Sequence, residues 1–179
     1  MIEYIKIHSV VGFGNITEIE LFINGNALTY KYSSRGLSAA EKNGKIENIQ
    51  EFIKKIEEIN IYSFKNEYYY ENVLIEDGLD FSIYYKESGK PEKEISGQYY
   101  PDEVIELLSA IEELIPEALF FDKVDFDEWY EEIAEEMELS DVDESVLVKL
   151  KSNFDRETTW AKKNAILEEA IDLLEPYSK

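Results

Sequence analysis

The run Ile16-Thr17-Glu18-Ile19-Glu20-Leu21-Phe22-Ile23-Asn24-Gly25-Asn26-Ala27-Leu28-Thr29-Tyr30-Lys31-Tyr32-Ser33 sets the architecture. Ile16 to Ile23 reads as a strand and Ala27 to Ser33 as its return. Asn24-Gly25-Asn26 between them reads as a hairpin turn, because Asn and Gly tolerate the positive φ that tight turns demand. Upstream, Tyr4, Lys6 and His8 alternate with Ile5, Ile7 and Ser9, the period of a strand, and Gly12-Phe13-Gly14-Asn15 breaks the run before Ile16. Three strands in this order make an antiparallel meander.

Ile46, Ile49, Phe52, Ile53, Ile56 and Ile59 recur at helical spacing, which predicts a helix over 46–59 with one apolar face, laid on the sheet. Strand-like residues return at Asn72 to Ile75, turn at Asp77-Gly78, and continue through Asp80 to Lys86 with Phe81, Ile83 and Tyr85 alternating. Lys86 to Lys90 supplies a second turn and Pro91 to Gly97 a return strand. Pro101 sits as a first-turn proline, whose missing amide donor is not needed there, and Val104, Ile105, Leu108, Ile111 and Ile115 stripe a helix that Pro116 stops. Three further helical patterns follow. Phe126, Trp129, Tyr130, Ile133 and Met137 define the first. Val142, Val146, Leu150 and Phe154 define the second, beginning near Ser140 with Ser140 and Asp143 as a capping pair. Trp160, Leu167, Ala170, Ile171 and Leu174 define the third, capped by Thr158 or Thr159. The expectation is an α+β chain: residues 1–118 form a mainly antiparallel sheet with two helices on it, and residues 119–179 an acidic three-helix extension packed on that domain or on a second copy as a homodimer.

Composition narrows the function classes. At 179 residues and 44% apolar the chain can bury a core. It has no cysteine, which excludes disulfides, thiolate metal sites and thiol catalysis. No secretory leader and no run of eighteen apolar residues is present, so the cytoplasm is the expected compartment. Forty carboxylates against eighteen cations give a net charge of −22, which repels phosphate backbones and anionic lipid and so argues against direct nucleic-acid or membrane binding. The excess is concentrated late. From Asp102 to Glu144, eighteen carboxylates face the single cation Lys123.

Catalytic signatures fail one by one. The single histidine, His8, alternates outward with Lys6 and reads as a solvent-facing strand residue. Gly-x-Ser-x-Gly, phosphate-loop and dinucleotide fingerprints are absent, and Gly12-Phe13-Gly14 leads to a strand rather than to a helix start. Asp141, Asp143 and Ser145 begin like a calcium loop, but Val146 replaces the turn glycine and Ser152 the bidentate glutamate. Asp122, Asp125, Asp127 and Glu128 suit a solvated helix start. Tyr68, Tyr69, Tyr70, Tyr99 and Tyr100 flank strands and read as packing residues before interface anchors. No catalytic residue, cofactor or metal ligand set is assigned.

The acidic stretch has two readings, a solvated face and a recognition surface. Glu128, Glu132 and Glu136, and likewise Glu131 and Glu135, repeat like charges at i and i+4 without lysine to relieve them. Stability or solubility alone would intersperse cations, whereas a one-signed face steers a positive partner.

Two passages resemble uncharacterised small proteins of low-GC bacteria and their mobile elements: Gly12-Phe13-Gly14 with Leu21-Phe22-Ile23-Asn24-Gly25, and Asp77-Gly78-Leu79-Asp80-Phe81-Ser82-Ile83-Tyr84-Tyr85 leading to Ser96-Gly97-Gln98-Tyr99-Tyr100-Pro101. The resemblance covers about residues 1–115, has Phe81 where a tryptophan is expected, and carries no catalytic residue over. In charge and size the chain also resembles anti-CRISPR and other phage anti-defence proteins, and immunity proteins of bacterial toxins. That likeness implies a non-enzymatic inhibitor whose carboxylates mimic phosphate and block a basic surface, a nuclease or other nucleic-acid-binding protein. Glu128, Glu131, Glu132, Glu135, Glu136, Asp141, Asp143 and Glu144 would form the mimic, with Trp129 as an aromatic anchor. A toxin immunity protein and a metal-dependent hydrolase using clustered carboxylates are the alternatives.

Overall fold

The computed structural model describes residues 1–11, 15–35, 40–69, 80–121 and 123–178. The strands are β1 (Ile2–Val11), β2 (Asn15–Asn24), β3 (Ala27–Arg35), β4 (Ala40–Glu47), β5 (Glu67–Tyr68), β6 (Asp80–Glu87) and β7 (Lys93–Gly97). The helices are α1 (Gln50–Ile59), α2 (Asp102–Leu114), α3 (Phe126–Glu136), α4 (Glu144–Arg156) and α5 (Trp160–Leu174). The protein is α+β, and its seven strands form one sheet in the order β4-β3-β2-β1-β6-β7-β5. Among the described residues every pairing is antiparallel except that of β5 with β7. The chain divides into two compact units, Met1–Phe120 and Phe121–Lys179. Among the described residues no helix is long and apolar enough to cross a membrane.

The β2–β3 hairpin forms where expected. Asn24 pairs Ala27, and Gly25 takes φ +60 at the first turn position, which a side chain would resist. Alternation then sorts the sheet into two faces. Ile5, Ile7, Ile19, Leu21, Leu28, Phe81, Ile83 and Ile95 are buried on one. The buried hydroxyls of Ser9 and Tyr100 satisfy each other there at 2.7 Å. Phe52 and Ile56 of α1 and Val104, Leu107, Leu108 and Ile111 of α2 are buried, and the two helices pack together.

Four expectations need correction. The predicted helix over 46–59 begins at Gln50, because Ile46 belongs to β4 and Asn48 turns the chain with φ 61. The second acidic-extension helix starts at Glu144 with Asp143 as N-cap. Ser140 is no part of that cap, and its amide donates to the Tyr177 carbonyl at 3.0 Å. Pro101 occupies the N-cap position of α2 with extended ψ rather than its first turn. The return strand begins at Lys93, not Pro91. The strand expected at Asn72 to Ile75, the Asp77-Gly78 turn, Gly12-Phe13-Gly14, Tyr70 and Asp122 lie outside the described residues.

The tyrosines mostly pack. Tyr68 is buried between Phe81 and Tyr99, its hydroxyl donating to Glu103 at 2.8 Å and accepting from the Lys65 amide at 3.0 Å. Gly97 lies under it, so a Cβ there would come within 2.5 Å of the Tyr68 carbonyl oxygen. Tyr69 is the exception, about half exposed, with its hydroxyl on Ser96 at 3.1 Å.

Candidate interaction face

α3 is amphipathic by sequence, and the structure places the expected residues accordingly. Phe126 is buried, with Trp129, Tyr130 and Ile133 half-buried against the cluster of Phe126, Leu150, Phe154, Leu167, Ala170 and Leu174. At about 100° per residue, Glu128, Glu131, Glu132, Glu135 and Glu136 then fall within an arc of roughly 140° on the opposite side. All five are exposed.

Asp125 fixes the start of this helix. Its carboxylate accepts from the amides of Asp127 at 2.9 Å and Glu128 at 3.2 Å, two donors that a helix start otherwise leaves unmatched. Asp127 pairs with Lys151 of α4, and this hydrogen bond raises the Lys151 ammonium above its ordinary range. Among the described residues no ion pair reaches Glu128, Glu131, Glu132, Glu135 or Glu136.

The remaining candidates cluster in the connection to α4. Glu138 and Asp141 take left-handed backbone, φ 51 and φ 57, and so bend the chain between α3 and α4. At the far end of α3, Ser178 donates its hydroxyl to the Met137 carbonyl at 2.9 Å. Asp141, Asp143 and Glu144 are exposed. Asp143 also caps α4, and hydrogen bonds from the Ser145 side chain and amide, the latter at 2.8 Å, hold its carboxyl below the usual range. It therefore has a folding role that the α3 glutamates lack. Trp129 sits with its ring centre 5.6 Å from that of Phe126, half-buried, so it lines the boundary between the apolar core and the acidic face.

The sheet carries a second polar surface that the sequence reading did not single out. On the face opposite the core, Lys6 lies 3.9 Å from both Glu18 and Glu20, Lys31 lies 3.7 Å from Glu20, and His8 Nδ1 is 3.3 Å from Glu18. Tyr84 donates to Glu94 at 2.7 Å. The hairpin register alone pairs Glu20 with Lys31, so the turn at Gly25 was the available signal. Among the described residues, no three carboxylate or imidazole groups gather as a metal-holding cluster. No family model matches the chain, and no curated protein matches it.

Proposed function

We propose that the protein is a non-enzymatic inhibitor that docks its α3 face onto the basic, nucleic-acid-binding surface of another protein. In this reading the sheet unit, with α1 and α2 covering its apolar face, is a scaffold, and the setting is cytoplasmic. The observation that carries it is charge density. Five carboxylates from Glu128 to Glu136 span about 12 Å of helix axis, roughly one charge per 3 Å. A nucleic-acid strand carries about one per 3.4 Å, and a duplex about one per 1.7 Å. A face of that density, exposed and free of lysine, presents a basic groove with the field it is shaped to meet.

Affinity capture from a host lysate with a salt gradient tests the proposal. Nucleic-acid-handling proteins should be retained at low salt, elute as salt rises, and be displaced by added duplex DNA. Retention that is unchanged across about a tenfold range of salt overturns it. So does retention that survives replacement of all five glutamates by glutamine.

An immunity protein docking through a mixed surface is the second reading, and the interleaved Lys6, Glu18, Glu20 and Lys31 of the sheet face favour it. Reversing Lys31 and Glu20 together would abolish that interaction while leaving one through α3 intact.

A further inference from the structure

β4 is a long edge. Among the described residues it pairs only with β3, and its eight residues leave a row of backbone donors and acceptors on the other side. The opposite edge of the sheet, β5, has two residues. Glu41, Lys42, Asn43, Lys45 and Glu47 of β4 are exposed.

Charge marks this edge as the place where two copies can approach. The chain as a whole carries −22, but residues 27–47 hold Lys31, Arg35, Lys42 and Lys45 against only Glu41 and Glu47. With Lys31, Lys42 and Lys45 facing Glu20, Glu117 and Glu47, this hairpin carries no acidic excess in a strongly negative molecule, so two copies that meet here avoid the repulsion that two acidic surfaces would meet.

Symmetry then selects the register. Two identical strands that pair antiparallel in one sheet are related by a two-fold axis normal to it, and some residue must stand opposite its own copy. An axis at Lys42 or Lys45 sets lysine against lysine. An axis at Gly44 sets Glu41 against Glu47. An axis at Asn43 sets Glu41 against Lys45, and by symmetry Lys45 against Glu41, with Asn43 against Asn43, Lys42 against Gly44 and Ala40 against Ile46. Glu41, Asn43 and Lys45 share the face opposite the core, so both ion pairs lie on one side of the joint. Of these four registers it is the one that sets opposite charges against each other on that face, in the two pairs of Glu41 with Lys45.

The geometry points to a homodimer formed by β4 against β4 about Asn43, making one continuous sheet of two copies. The pairing is a single strand wide, well short of the surface that permanent dimers bury, so the association is reversible and depends on concentration.

Analytical ultracentrifugation of the full chain over a wide concentration range tests this. Wild type should move from monomer to dimer, and β4 amides should exchange more slowly at high concentration. Glu41→Lys, which sets lysine against lysine twice, should weaken the dimer about tenfold. Adding Lys45→Glu to the same chain recreates both opposite-charge pairs and should restore the affinity. Circular dichroism confirms that each variant is folded, which these exposed positions permit. A chain that stays monomeric at millimolar concentration overturns the inference, and so does a dimer indifferent to Glu41→Lys, which would place the contact elsewhere, the helical extension included.

Discussion

The two units solve the same charge problem in opposite ways. On the open face of the sheet, carboxylates and cations alternate from strand to strand: Glu18 and Glu20 of β2 lie between Lys6 of β1 and Lys31 of β3. On α3, five glutamates share one arc, and the ion pair on this helix among the described residues is that of Lys151 with Asp127 at its start. Interleaving is the cheaper arrangement, since exposed opposite charges attract weakly and like charges at i and i+4 repel. A chain that interleaves its charges in one unit has the means to do so in the other. The one-signed helix is therefore the feature that folding does not account for, and it is where a partner is sought.

Separate damage to each unit is the severest test of that contrast. Phe154 is buried with its ring centre 5.5 Å from Phe126 and 6.3 Å from Trp160, so Phe154→Ala should cost about 3–5 kcal/mol in chemical denaturation. Hydrogen exchange should quicken across α3, α4 and α5 while amides of β1, β2 and β6 keep their protection. Gly97→Ala should do the reverse at about 1–3 kcal/mol, because the new methyl meets backbone that cannot swing aside. Equal loss of protection in both units from either change would erase the distinction between scaffold and face.

Alkaline pH probes the sheet unit through its tyrosines. Burial first, then Glu20, pushes the Tyr4 hydroxyl up to about 12, and burial with its hydrogen bond to Glu103 does the same for Tyr68. Both ionise near 10.0 in an unfolded chain. Their contribution to stability is thus fully present below pH 10 and lost as pH rises through 12. Tyrosinate absorbance should appear together with loss of the sheet signal in that window, and Tyr68→Phe should make stability there less dependent on pH.

The helical unit should respond to neutralisation with opposite signs in stability and binding. Glu131→Gln with Glu132→Gln removes the like-charge pairs 128/132, 132/136 and 131/135, and should raise stability by about 1 kcal/mol in low salt. The same variant should lose salt-sensitive retention of a basic partner. A fall in stability would mean that those carboxylates support the fold, and the case for a recognition surface would lose its footing.

Much of this was legible because periodicity reports burial. The β1–β2–β3 meander, the β6–β7 hairpin and the apolar faces of α2 to α5 follow from alternation or helical spacing in residues that are now seen buried or half-buried, with one correction: Ile171, expected on the buried side of α5, is exposed. β4 escaped for a physical reason. An edge strand needs no apolar face, its one large apolar residue is Ile46, and Ile46 stands three before Ile49, so helical spacing runs across the turn at Asn48. β5 is two residues long and has no period to detect. For the candidate face, identity and exposure of the glutamates were readable. The double role of Asp143, and the capping of α3 by Asp125, depend on which residue begins each helix, a boundary that composition does not set.

That boundary supports the finest test. Asp125 combines two contributions, an acceptor for the Asp127 and Glu128 amides and a negative charge beside the glutamate arc. Asp125→Ala removes both and should cost about 1 kcal/mol of thermal or denaturant stability. Asp125→Asn keeps the acceptor and discards the charge, and since Asn caps nearly as well as Asp, it should cost no more than about 0.3 kcal/mol. If the face works as a field rather than through one contact, Asp125→Asn should also weaken partner retention only slightly, in proportion to one charge among many. A large loss from that single neutral substitution would relocate recognition from the arc of α3 to its first turn.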